Sequence, residues 1–384
     1  MKILWVNPSF LDYRVAVYKR LNDLTKGNFY IIFSHNRVPQ RVINKIKCAI
    51  GDNALVLKKE KQLIIGENEG MSNKWIHIPF TIGLYKKIKS CKADIIISEG
   101  FFQWTPQAIR YAVTYKKPLM IAYERTKHTE RNCPKWRTLY RKMVDHFTSG
   151  YLCNGILTQQ YLEELGVNPK KIFIGGMSAD SEDLVKKISE IDETECNSLV
   201  RKLRLNKGIT YLYVGQIIER KGLIYLLKAW KHHILCYPDD NLLIVGGGNL
   251  YDTFLNDFGK NRGIYFLGNV DYNDIYKYYA IGDVFIIPTL EDNWSLVVPE
   301  AMACGLPIAC SIYNGCYPEL VKQNINGSLF DPLREESIID VLKYFHKVNL
   351  KEFGEKSKDI ERKYNCENVS NRIFQACLKI YNRQ

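Results

Sequence analysis

The sequence lacks several patterns that mark common classes of protein. Its 11 cysteines form no C-x-x-C pair, and no H-E-x-x-H, zinc-ribbon or P-loop pattern occurs, so a zinc-binding or P-loop protein is not indicated. No apolar run approaches the roughly 20 residues that cross a bilayer. The first residues, MKILWVNPSF, have neither the apolar core nor the cleavage site of a secretory signal. We therefore expect a cytoplasmic protein with reduced thiols.

Two further absences argue against a dehydrogenase and against a metal site. Neither half shows G-x-G-x-x-G after its first predicted strand, which argues against a dehydrogenase. The seven histidines have no metal-ligand spacing, so we expect no metal site, and we interpret His232 and His233 as a pair on a helix surface. The chain has 384 residues and is 46% hydrophobic, which predicts a globular protein with two domains.

The excess of positive charge is confined to the first half. Residues 1–180 contain 29 lysines and arginines and 14 acids, a balance of +15, whereas residues 181–384 balance at −2. A basic half suits nucleic acid, an anionic membrane surface or an acidic substrate, and it is also compatible with an ordinary solvated surface. No basic–aromatic recognition motif or helix-turn-helix pattern favours nucleic acid.

Short apolar runs alternate with amphipathic segments in both halves, which predicts two doubly wound parallel sheets. We expect domains at residues 1–180 and 181–366, with the acidic residues 177–196 as a linker and residues 367–384 as a helix that returns to the first domain. Such sheets bind ligands beyond the carboxyl ends of their strands. We expect the two domains to face each other across a cleft with these ends directed inward.

The stretch from Thr289 to Pro307, TLEDNWSLVVPEAMACGLP, follows a predicted strand and opens a predicted helix. Ser295 is a plausible N-cap. Free N–H groups and the positive helix end favour a phosphate in front of such a junction, and Glu300 is placed to reach a sugar hydroxyl. Alternatively, Asp292 and Glu300 only complement the helix dipole.

Three other loops with glycine follow predicted strands. Gly215 to Gly222 (GQIIERKG) can turn tightly and project Lys221 towards a diphosphate. Gly246 to Gly248 lets a ligand approach the backbone, although a strained turn explains it equally well. The backbone of Gly268-Asn269-Val270 is suited to hydrogen bonds with the flat edge of a nucleotide base. Each signal alone is also typical of ordinary loops.

Taken in order, the motifs of residues 205–335 resemble those of the family 4 glycosyltransferases, retaining enzymes with the GT-B fold. The matching segments are YVGQIIERKGLIYLLKAW (213–230), LLIVGGGNL (242–250), FLGNV (266–270), GDVFIIPTLEDNWSLVVPEAMACGLPIACSIYNGCYPELV (282–321) and NGSLFDP (326–332).

This resemblance implies a role for each matching residue. The two acids of the Glu-x7-Glu motif correspond to Asp292, which would contact the donor sugar, and Glu300, which would bind the ribose. The neighbouring Glu291 is an alternative to Asp292 for the sugar contact. The Arg-x4-Lys pair over the diphosphate falls on Gln216 and Lys221, so Arg220 or an arginine of the first half has to supply the missing charge. The donor-binding set is Gly215, Gln216, Arg220, Lys221, Gly246, Asn269, Asp292, Asn293, Trp294, Ser295, Leu296 and Glu300.

The first half matches less well. Its start, NPSFLDYR (7–14), is similar to family members that act on cell-surface polysaccharide precursors, such as those of capsule or lipopolysaccharide. His128 is a candidate for the donor-contacting histidine of the family, but Glu124 or Arg125, at a strand end, is the better candidate for facing the cleft. The predicted catalytic residues are Asp292, Lys221 and Glu124.

The resemblance implies retaining transfer from a nucleotide diphosphate sugar, with UDP favoured, to a glycan or a lipid-diphosphate-linked glycan. No Asp-x-Asp motif occurs, so we expect neither a metal nor another cofactor. The basic half suggests a peripheral location at the inner face of the cytoplasmic membrane. Two alternatives remain open: another GT-B activity, such as a sugar-nucleotide epimerase or inverting transferase, and a non-catalytic nucleotide- or nucleic-acid-binding protein.

Overall fold

The computed structural model describes residues 1–65, 76–271 and 273–383. The chain divides into two compact units, the first made of Met1–Asp180 with Tyr364–Gln384 and the second of Ser181–Lys363. The division after Asp180 lies where the charge balance of the sequence changes sign. Among the described helices, none combines the length and the apolar composition that crossing a membrane requires.

The first unit is built on a parallel sheet of seven strands, whose spatial order is β3-β2-β1-β6-β7-β8-β9. The strands are apolar and mostly buried on both faces, as parallel strands covered by helices must be. A separate antiparallel hairpin pairs β4 with β5. The bounds are β1 Ile3–Val6, β2 Phe29–Ser34, β3 Ala54–Leu57, β4 Glu60–Ile65, β5 Ile76–Thr81, β6 Ile95–Glu99, β7 Leu119–Tyr123, β8 Gly150–Cys153 and β9 Ile172–Ile174.

Helices cover this sheet, and the last helix of the chain is one of them. Helix α16 packs on α1, with Val369, Ile373 and Cys377 in the same core as the strands. The last residues of the chain, from Tyr364, therefore belong to the first unit. The helices of the first unit are α1 Tyr13–Leu24, α2 Gln40–Ile50, α3 Leu84–Cys91, α4 Thr105–Tyr115, α5 Lys135–Asp145, α6 Ile156–Glu164 and α16 Cys366–Tyr381.

The second unit has a parallel sheet of six strands in the order β12-β11-β10-β13-β14-β15. Its strands are β10 Thr210–Val214, β11 Asn241–Val245, β12 Ile264–Gly268, β13 Val284–Ile287, β14 Ile308–Ser311 and β15 Gly327–Phe330. Its helices are α7 Glu182–Glu190, α8 Glu193–Leu203, α9 Leu223–Cys236, α10 Tyr251–Phe258, α11 Tyr276–Ile281, α12 Val297–Ala303, α13 Tyr317–Leu320, α14 Glu335–Phe345 and α15 Leu350–Glu361.

The strand order of the second sheet reverses between β10 and β13, which are neighbours in space. Beyond the carboxyl ends of these two strands, the loops diverge to opposite sides and leave a crevice. The loop after β10 and the loop after β13 therefore meet at the position where open α/β sheets bind ligands.

Two predictions of local structure were wrong. Residues 177–196 are not a linker, because α7 and the start of α8 lie in them. Glu182, Asp183, Glu193 and Glu195 occupy first turns. The Asp192 carboxylate accepts the N–H groups of Thr194 and Glu195, so most of the acidic composition reflects helix starts. The apolar residues 151–157 predict a strand, but β8 ends at Cys153, because Gly155 is the N-cap of α6. Of residues 35–75, which no prediction covered, 66–75 lie outside the described residues.

Candidate active site

The loops that follow β10, β11 and β12 pack directly on one another. The N–H of Ile217 donates to the carbonyl of Gly247 at 2.8 Å, and the N–H of Gly246 donates to the carbonyl of Gly268 at 2.8 Å. A Cβ on Gly246 would lie 1.9 Å from the carbonyl oxygen of Gly215. The glycines of the second loop are therefore required by contact between loops, whether or not a ligand approaches them.

Asn269, in the third loop, also contacts the second loop. A Cβ on Gly247 would lie 2.7 Å from its side-chain oxygen, and the rest of the Asn269 side chain is exposed. Gln216 is also exposed, while its carbonyl accepts a 2.8 Å hydrogen bond from the Tyr213 hydroxyl. Both side chains thus project from a backbone that is fixed by its neighbours.

Gly222, in the loop after β10, packs against the backbone at the end of β13. Its φ is +66°, and a Cβ there would lie 2.2 Å from the carbonyl oxygen of Pro288. Gly27 has a similar φ of +78° but no atom within 4 Å of the corresponding position.

We expect Gly222→Ala to lower the free energy of unfolding by about 3 kcal/mol, because strain at positive φ adds to a backbone clash. Gly27→Ala is the matched control, which carries the strain without the clash and should cost about 1 kcal/mol. Urea denaturation of both variants measures the difference. Equal losses would show that the loop moves to accommodate the methyl group.

The carboxylate of Asp292 connects the two loops at the switch point. Its Oδ2 accepts from the Lys221 ammonium at 2.5 Å and from the Ser295 hydroxyl at 2.7 Å. Its Oδ1 accepts from the backbone N–H of Trp294 at 3.1 Å. Burial alone would raise the pKa of Asp292, but Lys221, Ser295 and Arg220 outweigh that effect and hold the pKa below its usual value. Asp292 is therefore an ionised residue inside a network of donors.

A second cation, Arg220, lies near this carboxylate. The Arg220 guanidinium lies 3.9 Å from Asp292 and donates to the carbonyl of Glu291 at 3.3 Å. The Glu291 side chain is buried. Lys221 and Arg220 thus both lie beside the carboxylate of Asp292. Gln216 occupies the position of the family's arginine and carries no charge. Arg220 is one of the residues expected to supply that missing positive charge.

Helix α12 has a different N-cap residue from the one predicted. Helix α12 begins at Val297, with Leu296 as its N-cap and no side-chain cap, so the prediction of Ser295 as N-cap was wrong. The Ser295 hydroxyl donates to Asp292 instead, because the carboxylate lies within reach and is the stronger acceptor. The first N–H groups of α12 consequently have no side-chain cap.

Asn314 supports this loop from the next strand connection and was missed at the sequence level. Its side chain is fully buried, and its oxygen accepts from the N–H of Ser295 at 3.4 Å and from the Cys316 thiol at 3.2 Å. The following Gly315 donates to the carbonyl of Asp292 at 2.9 Å. The Asn-Gly dipeptide marks only a turn, so its contact with the loop after β13 had no signal in the sequence.

Glu300 lies one turn into α12, where the Tyr279 hydroxyl donates to its carboxylate at 3.1 Å. Burial raises the pKa of Glu300 to about 7, even though the hydrogen bond from Tyr279 lowers it. A half-buried carboxylate with one donor retains capacity for ligand hydroxyls. Tyr279, on α11, was not predicted as part of the site.

The third predicted catalytic residue, Glu124, belongs to the first unit. It follows β7, is half-buried, and its carbonyl accepts from the Thr158 hydroxyl at 3.1 Å. Its neighbour Arg125 approaches Glu130 at 3.7 Å. The carbonyl of His128 accepts a hydrogen bond from the Arg131 side chain. These three candidates therefore cluster around a single loop of the first unit.

One cluster among the described residues offers potential metal ligands, namely His233, Asp240 and His346. His233 is buried, so its prediction as a surface residue was wrong, whereas His232 is exposed as expected. Both His233 and His346 reach the same Asp240 oxygen through Nε2, at 2.8 and 2.7 Å. Ligand atoms on one tetrahedral ion would be roughly 3.3 Å apart, so the spacing fits hydrogen bonds better.

Comparison with known proteins agrees with this geometry. Residues 197–363, all within the second unit, match the family model of the glycosyl transferases group 1. The chain carries a glycosyltransferase group 1 domain. The match covers less than half of the chain, and the assignment to family 4 stays a prediction.

Relatives of the group 1 domain include two proteins named as glycosyltransferases. An uncharacterized one from Methanocaldococcus jannaschii is 31% identical over 41% of this chain and 42% of its own length. The UDP-Gal:α-D-GlcNAc-diphosphoundecaprenol α-1,3-galactosyltransferase of Escherichia coli is 29% identical over 47% of this chain and 46% of its own length. The chain therefore spans less than half the length of these relatives.

The complete chain is similar in fold to Anabaena HepE, solved in complex with UDP. The TM-score is 0.77, with 14% identity, 99% of this chain covered and 100% of HepE. Two Rossmann-like parallel sheets with covering helices confirm the predicted fold class, GT-B.

Proposed function

We propose that the protein is a glycosyltransferase that moves a sugar from a nucleotide diphosphate sugar, with UDP favoured, to a glycan or lipid-linked glycan during surface polysaccharide synthesis. The group 1 domain and the relatives named above support this assignment. The acceptor of the Escherichia coli relative, a diphosphoundecaprenol-linked sugar, supports a lipid-diphosphate-linked acceptor here.

The observation that carries the proposal is the pair of Lys221 and Asp292, which joins the loops after β10 and β13 at the switch point. Cleavage of the bond between sugar and phosphate puts negative charge on the leaving diphosphate. The remaining N–H groups of Lys221, the Arg220 guanidinium and the uncapped start of α12 are positioned to stabilise that charge. These donors supply positive charge from the protein itself, which supports transfer without a divalent metal.

The other predicted residues have complementary roles. Glu300 binds the ribose hydroxyls as a hydrogen-bond acceptor. Asp292 fixes Lys221 and Ser295 and is proposed to contact the donor sugar with the remaining capacity of its oxygens. Glu124, in a loop of the first unit, is proposed as a further catalytic residue. The leaving phosphate oxygen takes the acceptor proton, and the configuration at the anomeric carbon is retained.

A thermal-shift screen against UDP-, GDP- and ADP-sugars tests donor binding. At a ligand concentration of about 100 times Kd, binding stabilises the folded chain by about 2.7 kcal/mol. We expect the UDP-sugar to raise Tm by roughly 5 °C and to do so equally in EDTA. The matched control is uridine without phosphates, which should give no shift. Failure of all nucleotide sugars to shift Tm would contradict the proposal.

Product analysis separates this function from the alternatives. Retention of the anomeric configuration, read by NMR, distinguishes it from an inverting transferase or an epimerase. Salt-dependent binding of duplex DNA without donor turnover would instead indicate a nucleic-acid-binding protein.

A further inference from the structure

Helix α5 of the first unit carries an apolar stripe that faces solvent. Its side chains are spaced three, four and four residues apart, which places them on one side of the helix. The members of the apolar stripe, with their exposed fractions, are Trp136 (47%), Leu139 (71%) and Met143 (52%) on the helix and Phe147 (45%) in the turn just after its last residue, Asp145.

The opposite side of α5 is fixed to the first unit. Arg141 is buried there and donates to Glu130 at 2.6 Å and to the Tyr161 hydroxyl at 3.2 Å. Val144 lies in the core cluster beside β7 and β8. The apolar stripe is thus held outward by a rigid helix.

Exposed basic residues accompany the apolar stripe. Lys135, Lys142 and His146 are exposed, and the helical repeat places them along one edge of the stripe. Apolar and indole side chains bordered by lysines are typical of helices that lie in a bilayer interface. Protein–protein interfaces, in contrast, are depleted of lysine. The charge therefore favours a surface of anionic lipid.

A cavity of about 290 Å³ lies against the same helix, and Trp136 belongs to both the cavity wall and the apolar stripe. Four arginines line the cavity and outnumber its two acids, Glu99 and Glu130. Arg37 and Arg141 pair with Glu60 and Glu130, each at 2.6 Å, and the smaller excess of arginine that remains suits a phosphate or another anionic group. The arginines that line it are Arg37, Arg125, Arg137 and Arg141.

We propose that the apolar stripe of α5 docks on the surface of an anionic bilayer, next to an arginine-lined cavity that receives the phosphate of a membrane-bound acceptor. The role of the cavity rests on the proposed function, whereas the docking of α5 does not. The Leu139 and Met143 side chains enter the acyl boundary, and Lys135 and Lys142 contact lipid phosphates.

Flotation with vesicles of phosphatidylglycerol and phosphatidylcholine tests the docking. The wild-type protein should float with the anionic vesicles, less at high salt and little with pure phosphatidylcholine. Leu139→Glu should weaken the partition by at least about tenfold, because it removes apolar burial and adds repulsion. Leu235→Glu is the matched control, since Leu235 is 78% exposed on α9 of the second unit, and it should bind like wild type.

A second readout follows Trp136 directly. Brominated lipids should quench part of the tryptophan fluorescence of the wild type, and Trp136→Phe should remove that part. Equal binding by Leu139→Glu and wild type, or no salt-sensitive binding at all, would overturn the proposal. So would a wild-type dimer, seen by sedimentation velocity, that Leu139→Glu dissociates, because the stripe would then join two copies.

The donor screen separates this proposal from the proposed function. Because Leu139 lies on the surface of the first unit, Leu139→Glu should keep the wild-type Tm and its shift with a UDP-sugar. Vesicle binding without any donor response would contradict the glycosyltransferase assignment alone. A donor response without vesicle binding would contradict the docking of α5 alone.

Discussion

Lys221→Met is expected to reduce turnover at least about a hundredfold, because the variant loses the cation proposed to stabilise the leaving diphosphate. It should also lower the free energy of unfolding by about 3 kcal/mol at neutral pH, since it leaves Asp292 buried without its closest cation. Steady-state kinetics and urea denaturation measure the two effects.

The double variant Lys221→Met/Asp292→Asn separates the two losses. A neutral amide needs no cation, so we expect most of the stability to return while turnover remains low. A natively folded Lys221→Met variant with wild-type turnover would remove Lys221 from the site.

The pH dependence of stability supplies a further check on Lys221→Met. In the wild type the pKa of Asp292 is depressed, so its contribution to stability is present above the ordinary pKa and is lost only as pH falls through the depressed one. Without Lys221, burial favours the protonated acid. The deficit of Lys221→Met relative to wild type should therefore shrink as the pH is lowered.

Glu300→Gln is expected to weaken donor binding by about tenfold to a hundredfold and at the same time to stabilise the protein at pH 8. The loss of affinity follows because a carboxylate is a stronger acceptor for ribose hydroxyls than an amide. Wild-type affinity should rise between pH 6 and 8, as Glu300 with its pKa of about 7 ionises. The variant should show no such rise, and calorimetric titration with UDP measures both.

The gain in stability follows from the raised pKa of Glu300. Its folded-state pKa of about 7 exceeds the ordinary value of 4.5, so its contribution is complete below pH 4.5 and is lost as pH rises through 7. At pH 8 the buried charge costs of the order of 2 kcal/mol, which glutamine avoids.

Glu361→Gln is the matched control for Glu300→Gln, because burial also raises the pKa of Glu361 in the same unit. It should change stability with pH and leave UDP affinity unchanged. A Glu300→Gln variant that binds UDP like wild type would remove Glu300 from the ribose site.

Local patterns predicted much of the fold. The sequence pattern predicts helices at residues 13–24 and 135–145 and a strand at residues 210–214, and the structure has all three with these bounds. Periodicity and apolar runs are properties of short segments. The acidic segment before Asn197 was misread, because the same residues favour linkers and helix starts. The hydrogen bonds of its N-cap residue, Asp192, form only when the first turn of α8 is present. The sequence alone therefore does not distinguish a linker from a helix start.

The candidate site depends on contacts that short segments do not encode. Lys221 and Asp292 are 71 residues apart, and the pairing of β10 with β13 brings them together. The roles of Asn314 and Tyr279 follow from the positions of neighbouring connections in the sheet. The resemblance to a family identified the loops, but the choice of Asp292 as a partner of Lys221 required three-dimensional structure.

The contacts among the glycines of the second unit limit how donor preference can be redesigned. Gly246 and Gly248 lie against the backbone of the loop after β10, at Gly215 and Ile217, so a side chain added to either of them displaces that loop. A mutant library should therefore keep these glycines and vary Gln216 and Asn269, whose side chains project into solvent from the same frame. Sugar or base selectivity can then change without loss of the supporting backbone.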